Sequence, residues 1–297
     1  MDSQINKKLK ILVTGAKGFT GIHFIKMAHA LGHETFPLNA NINDINALEG
    51  EIASIQPTAI AHFAGISYVV SKDEEAFYRV HALGTSNILN AALKLKEKPH
   101  KILLASSATV YGNSPAQYSV ETQELKPIDH YAISKVAMEE MAKTFMGNLP
   151  IIIARPFNYT GIGQKGNFLI PKLVHHFAKK SEAIELGNLN VEREFNNVRM
   201  ICAAYLSLLE FGPAGETYNV CSGKVYSLQE VKDTLSQITN HHPKIIVNPD
   251  FVRSNEVHRM CGNPAKLNQL LAQHKVDPIS YDIETTLRAM LAASTTT

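Results

Sequence analysis

A tyrosine and a lysine that are four residues apart suggest proton-transfer chemistry. Tyr131 and Lys135 occur in the segment Tyr131-Ala132-Ile133-Ser134-Lys135, and a helix would present both side chains on one face. A nearby ammonium stabilises a phenolate, so we expect Lys135 to lower the pKa of Tyr131 from about 10 to between about 7 and 9. Tyr131 could then pass a proton to or from a substrate oxygen near neutral pH. Ser107, at the end of the preceding predicted strand, could hold the same oxygen by a hydrogen bond.

A glycine-rich turn near the start of the chain indicates a dinucleotide-binding site. Gly15, Gly18 and Gly21 have the spacing GxxGxxG and follow the apolar run Lys10-Ile11-Leu12-Val13 directly. Glycines allow a tight turn, bring backbone amides close to a pyrophosphate and let the next helix pack against the strand. The positive end of that helix then faces the phosphates. The position between a predicted strand and a predicted helix is the context that such a motif requires.

The residues about 20 positions after the turn leave open the choice between NAD and NADP. An NAD-specific site usually carries an acid there, which holds the ribose 2′-hydroxyl. This chain has Asn39, Ala40 and Asn41, with neither an acid nor an arginine. Lys17 in the glycine turn could meet a 2′-phosphate, or it could be a solvated surface lysine. We expect NADPH or NADH as the cofactor, with a slight preference for NADPH.

The order of the predicted elements indicates an α/β fold with a Rossmann-type, doubly wound parallel sheet. Strands without polar alternation are buried on both faces, and βαβα order places helices on either side of a parallel sheet. Strands are expected at residues 10–13, 35–38, 59–63, 101–105, 151–154 and 217–220. Helices are expected at residues 19–32, 45–55, 74–96, 131–146 and 196–211.

The regular alternation of strands and helices stops after about residue 160, where Gly and Asn become frequent. We therefore expect a dinucleotide-binding domain over residues 1–160, with residues 191–225 returning to it. Residues 161–190 and 226–297 are expected to form a smaller, mixed α/β domain that binds the substrate.

The composition excludes several other classes of protein. The 297 residues are 45% hydrophobic and 19% charged, with a net charge of +2, which is typical of a globular protein. No basic block alternates with aromatic residues, so we expect no nucleic-acid partner. No apolar run reaches the ~18 residues that cross a bilayer, and the polar N-terminus lacks the core of a signal peptide. The 3 cysteines and 13 histidines form no metal motif. We expect a cytoplasmic protein without a membrane partner, disulfides or a metal site.

Together these motifs resemble the extended short-chain dehydrogenase/reductase family, whose members mostly act on nucleotide sugars. The resemblance covers roughly residues 8–275. The matching positions are the glycine motif (Gly15, Gly18, Gly21), the segment His62-Phe63-Ala64-Gly65, similar to the family's HLAA, and the catalytic triad (Ser107, Tyr131, Lys135).

Within that family the chain is more similar to the branch of GDP-mannose 4,6-dehydratases and GDP-4-keto-6-deoxy-mannose reductases. The similarity lies in residues 155–164 (RPFNYTGIGQ), 187–189 (GNL), 193–195 (REF) and 218–223 (YNVCSG). The last of these segments matches the reductases particularly well.

The resemblance implies binding roles for further residues. Cofactor contacts would come from Gly15, Lys17, Gly18, Phe19, Thr20, Gly21, Asn41, Ala64, Gly65, Ser106, Tyr131, Lys135 and Pro156. Substrate contacts would come from Thr109, Asn158, Arg193, Arg253 and Glu256. A planar guanidinium such as that of Arg193 suits a diphosphate, and a carboxylate such as that of Glu256 suits ribose hydroxyls.

The chain departs from the family pattern at three places. Thr109 stands where the dehydratases carry a glutamate, and threonine cannot remove the proton beside a new ketone, so a dehydratase is not expected. His81 replaces the usual asparagine beneath the site. Asn196-Asn197-Val198 replaces a stretch that usually contains an acid.

The sequence thus predicts an NAD(P)H-dependent oxidoreductase that reduces the 4-keto group of a nucleotide-linked 6-deoxy-hexulose. A GDP-sugar is favoured and a dTDP-sugar is next. The setting implied is the biosynthesis of 6-deoxyhexoses for cell-surface polysaccharides. One alternative is a nucleotide-sugar 4-epimerase with tightly bound NAD, and another is a non-catalytic nucleotide-binding protein.

The predicted helices at residues 84–96 and 131–146 carry apolar residues on more than one face. A sheet covers only one face of a helix, so the remaining apolar stripe is expected to pack against a second subunit. The family resemblance implies the same, since many relatives dimerise through a four-helix bundle formed by these helices. We expect a homodimer.

Overall fold

The computed structural model describes residues 8–66, 73–187, 191–251 and 257–294. Two of the substrate residues expected from the sequence, Arg253 and Glu256, lie outside these ranges, as does the Asn188-Leu189 pair. Within the described ranges no helix has both the length and the apolar character that a membrane crossing requires.

The described part of the chain contains strands and helices in the following order. The strands are β1 (Lys10–Thr14), β2 (Glu34–Pro37), β3 (Ala59–His62), β4 (Lys101–Ala105), β5 (Ile151–Pro156), β6 (Tyr159–Thr160), β7 (Ala183–Leu186), β8 (Glu192–Arg193), β9 (Asn196–Asn197), β10 (Thr217–Val220), β11 (Tyr226–Ser227), β12 (Lys244–Val247) and β13 (Arg259–Met260). The α-helices are α1 (Phe19–Ala30), α2 (Ile45–Ile55), α3 (Glu74–Tyr78), α4 (Thr85–Leu93), α5 (His130–Lys143), α6 (Leu169–Ala178), α7 (Val198–Phe211), α8 (Leu228–Thr239), α9 (Ala265–Gln273) and α10 (Ile283–Ser294).

Six strands form a central parallel sheet in the order β10-β5-β4-β3-β1-β2. Along β1, Ile11 and Val13 belong to one hydrophobic layer and Leu12 to the other, because successive side chains of a strand point to opposite faces. Residues of α1, α7 and α9 complete the first layer, and residues of α2, α4 and α5 complete the second. The predicted doubly wound α/β fold is confirmed.

A further hydrophobic cluster lies outside the sheet and is formed by residues of α6, β7, α8 and α10. Next to it, β7 pairs with β12 in a small parallel sheet. The chain between these elements returns to the central sheet through α7 and β10, since β10 pairs with β5. The division into two domains stays a prediction.

Most predicted elements agree with the structure, and one helix differs. The helix expected at residues 45–55 is α2, which Asp44 caps by accepting a hydrogen bond from the Ala47 N–H at 3.1 Å. The helix expected at residues 74–96 is instead α3, one wider π-helical turn over Arg79–Gly84, and then α4. Such turns interrupt α-helices and frequently occur at functional sites.

Many apolar residues in and next to α4 and α5 are covered within the one chain, and the expected homodimer stays a prediction. The buried ones include Ile88, Leu89, Ala92, Leu95 and Met138. They are buried within the one chain because α4 and α5 pack against each other as well as against the sheet. Large apolar side chains that remain exposed in this region are Ile133 on α5 and Leu83 on the π-helical turn, with 40% and 59% of their surface accessible.

Candidate active site

The residues expected to do chemistry gather at the carboxyl ends of the central strands. The glycine turn follows β1, the segment Phe63-Ala64-Gly65 follows β3, and Ser106 and Ser107 follow β4. After β1 the chain passes first to β2 on one side and later to β3 on the other. Open parallel sheets bind their ligands in the crevice at this topological switch point.

The glycine turn is shaped by close contacts that exclude side chains. Gly15 has a φ of +67°, and a β-carbon there would lie 2.8 Å from the Ala64 backbone nitrogen. A β-carbon on Gly21 would collide with the Gly15 carbonyl and with Ala16. Helix α1 therefore starts directly against the strand ends. Gly18 at its N-cap has no side chain to bind the first amides, and the first turn holds no acid. These uncapped amides suit the pyrophosphate of a dinucleotide.

Other residues expected at the cofactor site connect the strand ends to one another. Thr20 Oγ1 is hydrogen-bonded to Tyr159 Oη at 2.7 Å, and the Phe19 ring stacks on the Tyr159 ring at a centroid distance of 6.0 Å. These contacts join the start of α1 to β6, which follows Pro156 and the end of β5. The Ala64 N–H donates to Thr14 Oγ1 at 2.9 Å.

Of three further residues expected to contact the cofactor, two are exposed and one, Gly65, packs near Lys135. Lys17 is exposed. Asn41 is also exposed, and its side-chain oxygen accepts from the Asn43 N–H at 3.0 Å. A β-carbon on Gly65 would lie 3.2 Å from His81 Nε2 and 3.7 Å from Lys135 Nζ, so Gly65 closes one side of the lysine pocket.

Lys135 is fixed at the end of β4. It lies four residues after Tyr131 on α5, and its Nζ donates to the Ala105 carbonyl oxygen at 2.8 Å. Burial lowers the pKa of Lys135 to about 8, an effect that the nearby Glu139 carboxylate partly opposes. Lys135 is thus predominantly protonated at pH 7 and is held within the triad by a backbone hydrogen bond.

Ser107 is oriented as a hydrogen-bond donor. Its Oγ accepts from the Thr109 hydroxyl at 2.9 Å and from the Thr109 N–H at 3.2 Å. A serine hydroxyl has two acceptor positions and one donor, so these contacts leave the Ser107 proton for another partner, which in this structure is the Tyr131 hydroxyl. Thr109 was expected to contact the substrate. In this structure its side chain contacts Ser107.

The Tyr131 hydroxyl has a raised pKa. Burial is the main cause, while a hydrogen bond with Ser107 acts in the opposite direction. The expectation that Lys135 lowers the pKa of Tyr131 is wrong in this structure, because removal of the phenol from water disfavours the phenolate more strongly. Tyr131 is consequently protonated at neutral pH and able to give a proton.

A buried network that the sequence analysis missed supports the triad. Arg155 forms two hydrogen bonds with the fully buried Glu139, from Nε to Oε1 at 3.0 Å and from Nη2 to Oε2 at 2.6 Å. Ser106 also donates to Glu139, so its hydroxyl is directed into the protein. The four-residue spacing from Lys135 to Glu139 and the arginine at the end of an apolar strand were the available signals.

His81, which replaces the family's asparagine, contacts three parts of the site. Its Nε2 accepts from the Ile66 N–H at 3.0 Å, so the neutral ring carries its proton on Nδ1 and donates it to Ser134 Oγ at 2.8 Å. Ser134 Oγ donates in turn to the Tyr131 carbonyl at 2.7 Å. The His81 and Tyr131 rings meet edge to face at 5.4 Å. His81 thus connects the loop after β3 to the catalytic helix.

The residues expected to bind substrate are only partly brought together. Asn158 is exposed at the carboxyl end of the sheet, where its carbonyl accepts from the Asn196 N–H at 2.9 Å. The Arg193 guanidinium donates to the backbone carbonyls of Val257 and His258. Arg253 and Glu256, the other two charged residues expected to bind substrate, fall outside the described residues.

A second buried carboxylate, also missed from the sequence, fixes the loops around Arg193. Glu194 accepts from the Gly262 N–H and the Ser222 N–H, both at 2.7 Å, and from Asn196 Nδ2 at 3.0 Å. Burial raises its pKa, and these hydrogen bonds act in the opposite direction. The Glu194 carboxylate thereby holds the segments around residues 222 and 262 next to its own segment.

Comparison with known proteins agrees with this geometry. A family model described as GDP-mannose 4,6 dehydratase matches residues 30–276. The chain belongs to this family. A relative named GDP-6-deoxy-D-talose 4-dehydrogenase, from Aggregatibacter actinomycetemcomitans, is 33% identical over 268 residues, which cover 89% of this chain and 91% of that protein. The predicted membership of the extended short-chain dehydrogenase/reductase family is confirmed, and the family is one of enzymes.

Two solved structures share the fold over almost the whole chain. RMD from Pseudomonas aeruginosa, complexed with NADPH, is 30% identical with a TM-score of 0.88, covering 97% of this chain and 99% of that one. A Burkholderia cenocepacia protein, described provisionally as an epimerase, is 38% identical with a TM-score of 0.91, covering 98% and 99%. The NADPH bound in the RMD structure supports an NAD(P) cofactor for this chain.

Proposed function

We propose that this family member reduces the 4-keto group of a nucleotide-linked 6-deoxy-hexulose, with a GDP-sugar as the first candidate and a dTDP-sugar as the second. The observation that carries the proposal is the arrangement of Ser107, Tyr131 and Lys135. The Ser107 and Tyr131 hydroxyls are hydrogen-bonded to each other, and Tyr131 is protonated at neutral pH. The relative named as a GDP-6-deoxy-D-talose 4-dehydrogenase supports it, since oxidation and reduction at C4 are two directions of one hydride transfer. The proposed setting is the cytoplasm and the biosynthesis of 6-deoxyhexoses for cell-surface polysaccharides.

The protein's part in this reaction is to hold the carbonyl and to supply a proton. NADPH or NADH, when bound, supplies the hydride. Ser107 would donate a hydrogen bond to the carbonyl oxygen, which gains negative charge as the reaction proceeds. Tyr131 would then give its proton to the same oxygen, and its raised pKa keeps that proton in place beforehand. Lys135, fixed by the Ala105 carbonyl, would hold the cofactor ribose.

Thr109 separates this proposal from a dehydratase activity. Removal of a proton from the carbon next to a ketone needs a base, and a threonine hydroxyl is not one at neutral pH. The Thr109 hydroxyl is already used to orient Ser107. The side chain at this position thus favours the reduction of a keto sugar.

Replacement of Tyr131 tests the proposal most directly. Tyr131→Phe removes the proton donor alone and is expected to reduce turnover of a 4-keto GDP-sugar by ~10²–10⁴ while cofactor binding is retained. Ser107→Ala should cost less, because one hydrogen bond to the carbonyl is lost and the proton is kept. The assay is NAD(P)H oxidation followed by absorbance. Retention of more than about a tenth of the wild-type rate in Tyr131→Phe would contradict the assigned role.

The alternative is a nucleotide-sugar 4-epimerase, which the provisional description of the Burkholderia cenocepacia structure favours. An epimerase must keep its NAD, because it returns the hydride to its own intermediate. The measurement that distinguishes the two is the cofactor content of the purified protein. Near-stoichiometric NAD, with no net NAD(P)H oxidation when the keto sugar is added, would replace the reductase with the epimerase.

We also propose a homodimer that packs through α4 and α5. Ile133 and Leu83 are exposed apolar residues near these helices, and contiguous apolar surface is typical of an interface. Sedimentation at micromolar concentration should give a species of about twice the 32.7 kDa chain mass. Ile133→Lys should shift it to the monomer, whereas a single wild-type species at the chain mass would exclude the dimer.

A further inference from the structure

A carboxylate on α2 holds the short loop that follows β2. Glu51 Oε1 accepts from the Asn39 N–H at 2.9 Å, and Oε2 accepts from the Ala40 N–H at 2.7 Å. Oε1 also accepts from the Asn39 side-chain amide at 3.2 Å. Both oxygens of one acid are thus bound to consecutive backbone amides, as a phosphate would be in an anion site.

This loop lies where a dinucleotide places its adenosine ribose. β2 is the neighbour of β1 in the sheet, and the Leu38 N–H donates to the Val13 carbonyl at 2.9 Å. Asn39 and Ala40 therefore follow at the same edge of the sheet as the glycine turn. In folds of this type, the residue at this place meets the 2′-position of the ribose.

The charge of Glu51 is not neutralised by a neighbouring cation. Glu49, two residues earlier on α2, pairs with Lys94 at 2.6 Å. No lysine, arginine or histidine in the described ranges forms such an ion pair with Glu51, whose contacts there are the amides of Asn39 and Ala40. The two amides that could bind a phosphate are thus occupied by an anion.

We propose that Glu51 makes the enzyme select NADH over NADPH. A 2′-phosphate would meet a fixed negative charge and would have to displace it from both amides. A 2′-hydroxyl carries no charge and can donate to a carboxylate oxygen. An acid supplied from α2 would then replace the acid that is missing at the end of β2. The inference rests on the dinucleotide site of the proposed function and reverses the slight preference for NADPH drawn from the sequence.

The test is a fluorescence titration of NADH and NADPH without any sugar substrate, on the wild-type protein, Glu51→Gln and Glu49→Gln. We expect wild type to bind NADH at least about tenfold more tightly, since like charges at an interface cost several kcal/mol. Glu51→Gln should reduce the ratio of the two dissociation constants about tenfold, through tighter NADPH binding. Glu49→Gln, on the same helix, should keep the wild-type ratio.

A second measurement uses the wild-type protein alone, so it tests the inference even if Glu51→Gln does not fold. Adenosine 5′-monophosphate should displace NADH more readily than adenosine 2′,5′-bisphosphate does. Equal or tighter NADPH binding in wild type, or an unchanged ratio in a folded Glu51→Gln, would overturn the inference. If wild type binds neither NADH nor NADPH, both the inference and the proposed dinucleotide site are wrong. NADH selectivity without turnover of keto sugars would contradict the proposed function alone.

Discussion

A change from pH 7.5 to pH 5.0 is expected to destabilise the protein by about 4 kcal/mol, because two histidines beside the active site are buried as neutral rings. His62 is hydrogen-bonded to the hydroxyls of Thr14 and Thr85 at 2.7 and 2.9 Å. His81 is held between Ile66 and Ser134. Burial, with a smaller contribution from Lys135, lowers the pKa of His62 to about 3 and that of His81 to about 2.

The sign follows from the protons that each state binds. In the unfolded chain both rings have a pKa near 6.5, so they take up protons as the pH falls below that value. The native rings stay neutral down to about pH 3, so the unfolded state is favoured increasingly at lower pH. Each histidine costs roughly 1.4 kcal/mol per pH unit below 6.5, which gives about 2 kcal/mol at pH 5.0 and about 4 kcal/mol for the pair.

The assay is urea unfolding at one protein concentration and at pH 7.5, 6.5, 5.5 and 5.0. In His81→Asn, the free energy of unfolding should change by about 2 kcal/mol less between pH 7.5 and pH 5.0 than in wild type, which is about half of the pH dependence. This difference does not depend on how stable the variant is at pH 7.5. His242 is exposed, so His242→Asn is the control and should keep the full pH dependence of the wild-type free energy of unfolding. A wild-type free energy of unfolding that changes by less than about 1 kcal/mol, or that rises toward pH 5.0, would refute the burial of two neutral rings.

Two further predictions concern residues around the triad. Arg193→Ala should raise the KM for the nucleotide sugar much more than it lowers kcat, because a diphosphate remote from the reacting carbon is bound alike throughout the reaction. A fall in kcat at constant KM would place Arg193 in the chemistry instead. Glu139→Gln should cost about 3–5 kcal/mol in urea unfolding, since Arg155 is left buried without its counter-charge. A loss below about 1 kcal/mol would show that the ion pair is not buried in solution.

The parts of the fold that the sequence predicted well are those specified by local pattern. Apolar runs located the six strands of the central sheet, and the helix expected at residues 45–55 is α2. The single helix predicted over residues 74–96 is interrupted by the π-helical turn at Arg79–Gly84, which the sequence pattern did not reveal. The turn changes which residues face α5, and His81 is one of them.

Site residues that belong to one sequence motif could be predicted. Site residues that meet only through contacts between distant segments could not. Tyr131 and Lys135 share a helix, so their spacing alone placed them together. Glu51 meets Asn39 only because α2 packs beside the end of β2, and nothing in the spacing of the two residues shows this. The pairing of Arg155 with Glu139 likewise joins two separate elements, β5 and α5, and the sequence analysis did not predict it.

Thr109 shows how a single position can decide the chemistry in two ways. In the sequence, its significance is the absence of a base, which argues against dehydration. In the structure, its hydroxyl and its N–H fill both acceptor positions of Ser107. A carboxylate there could accept the Ser107 proton, whereas the Thr109 contacts leave that proton for Tyr131 and, in the proposed reaction, for the carbonyl oxygen. In that proposal Thr109 both lacks the base that dehydration needs and orients the donor that reduction needs.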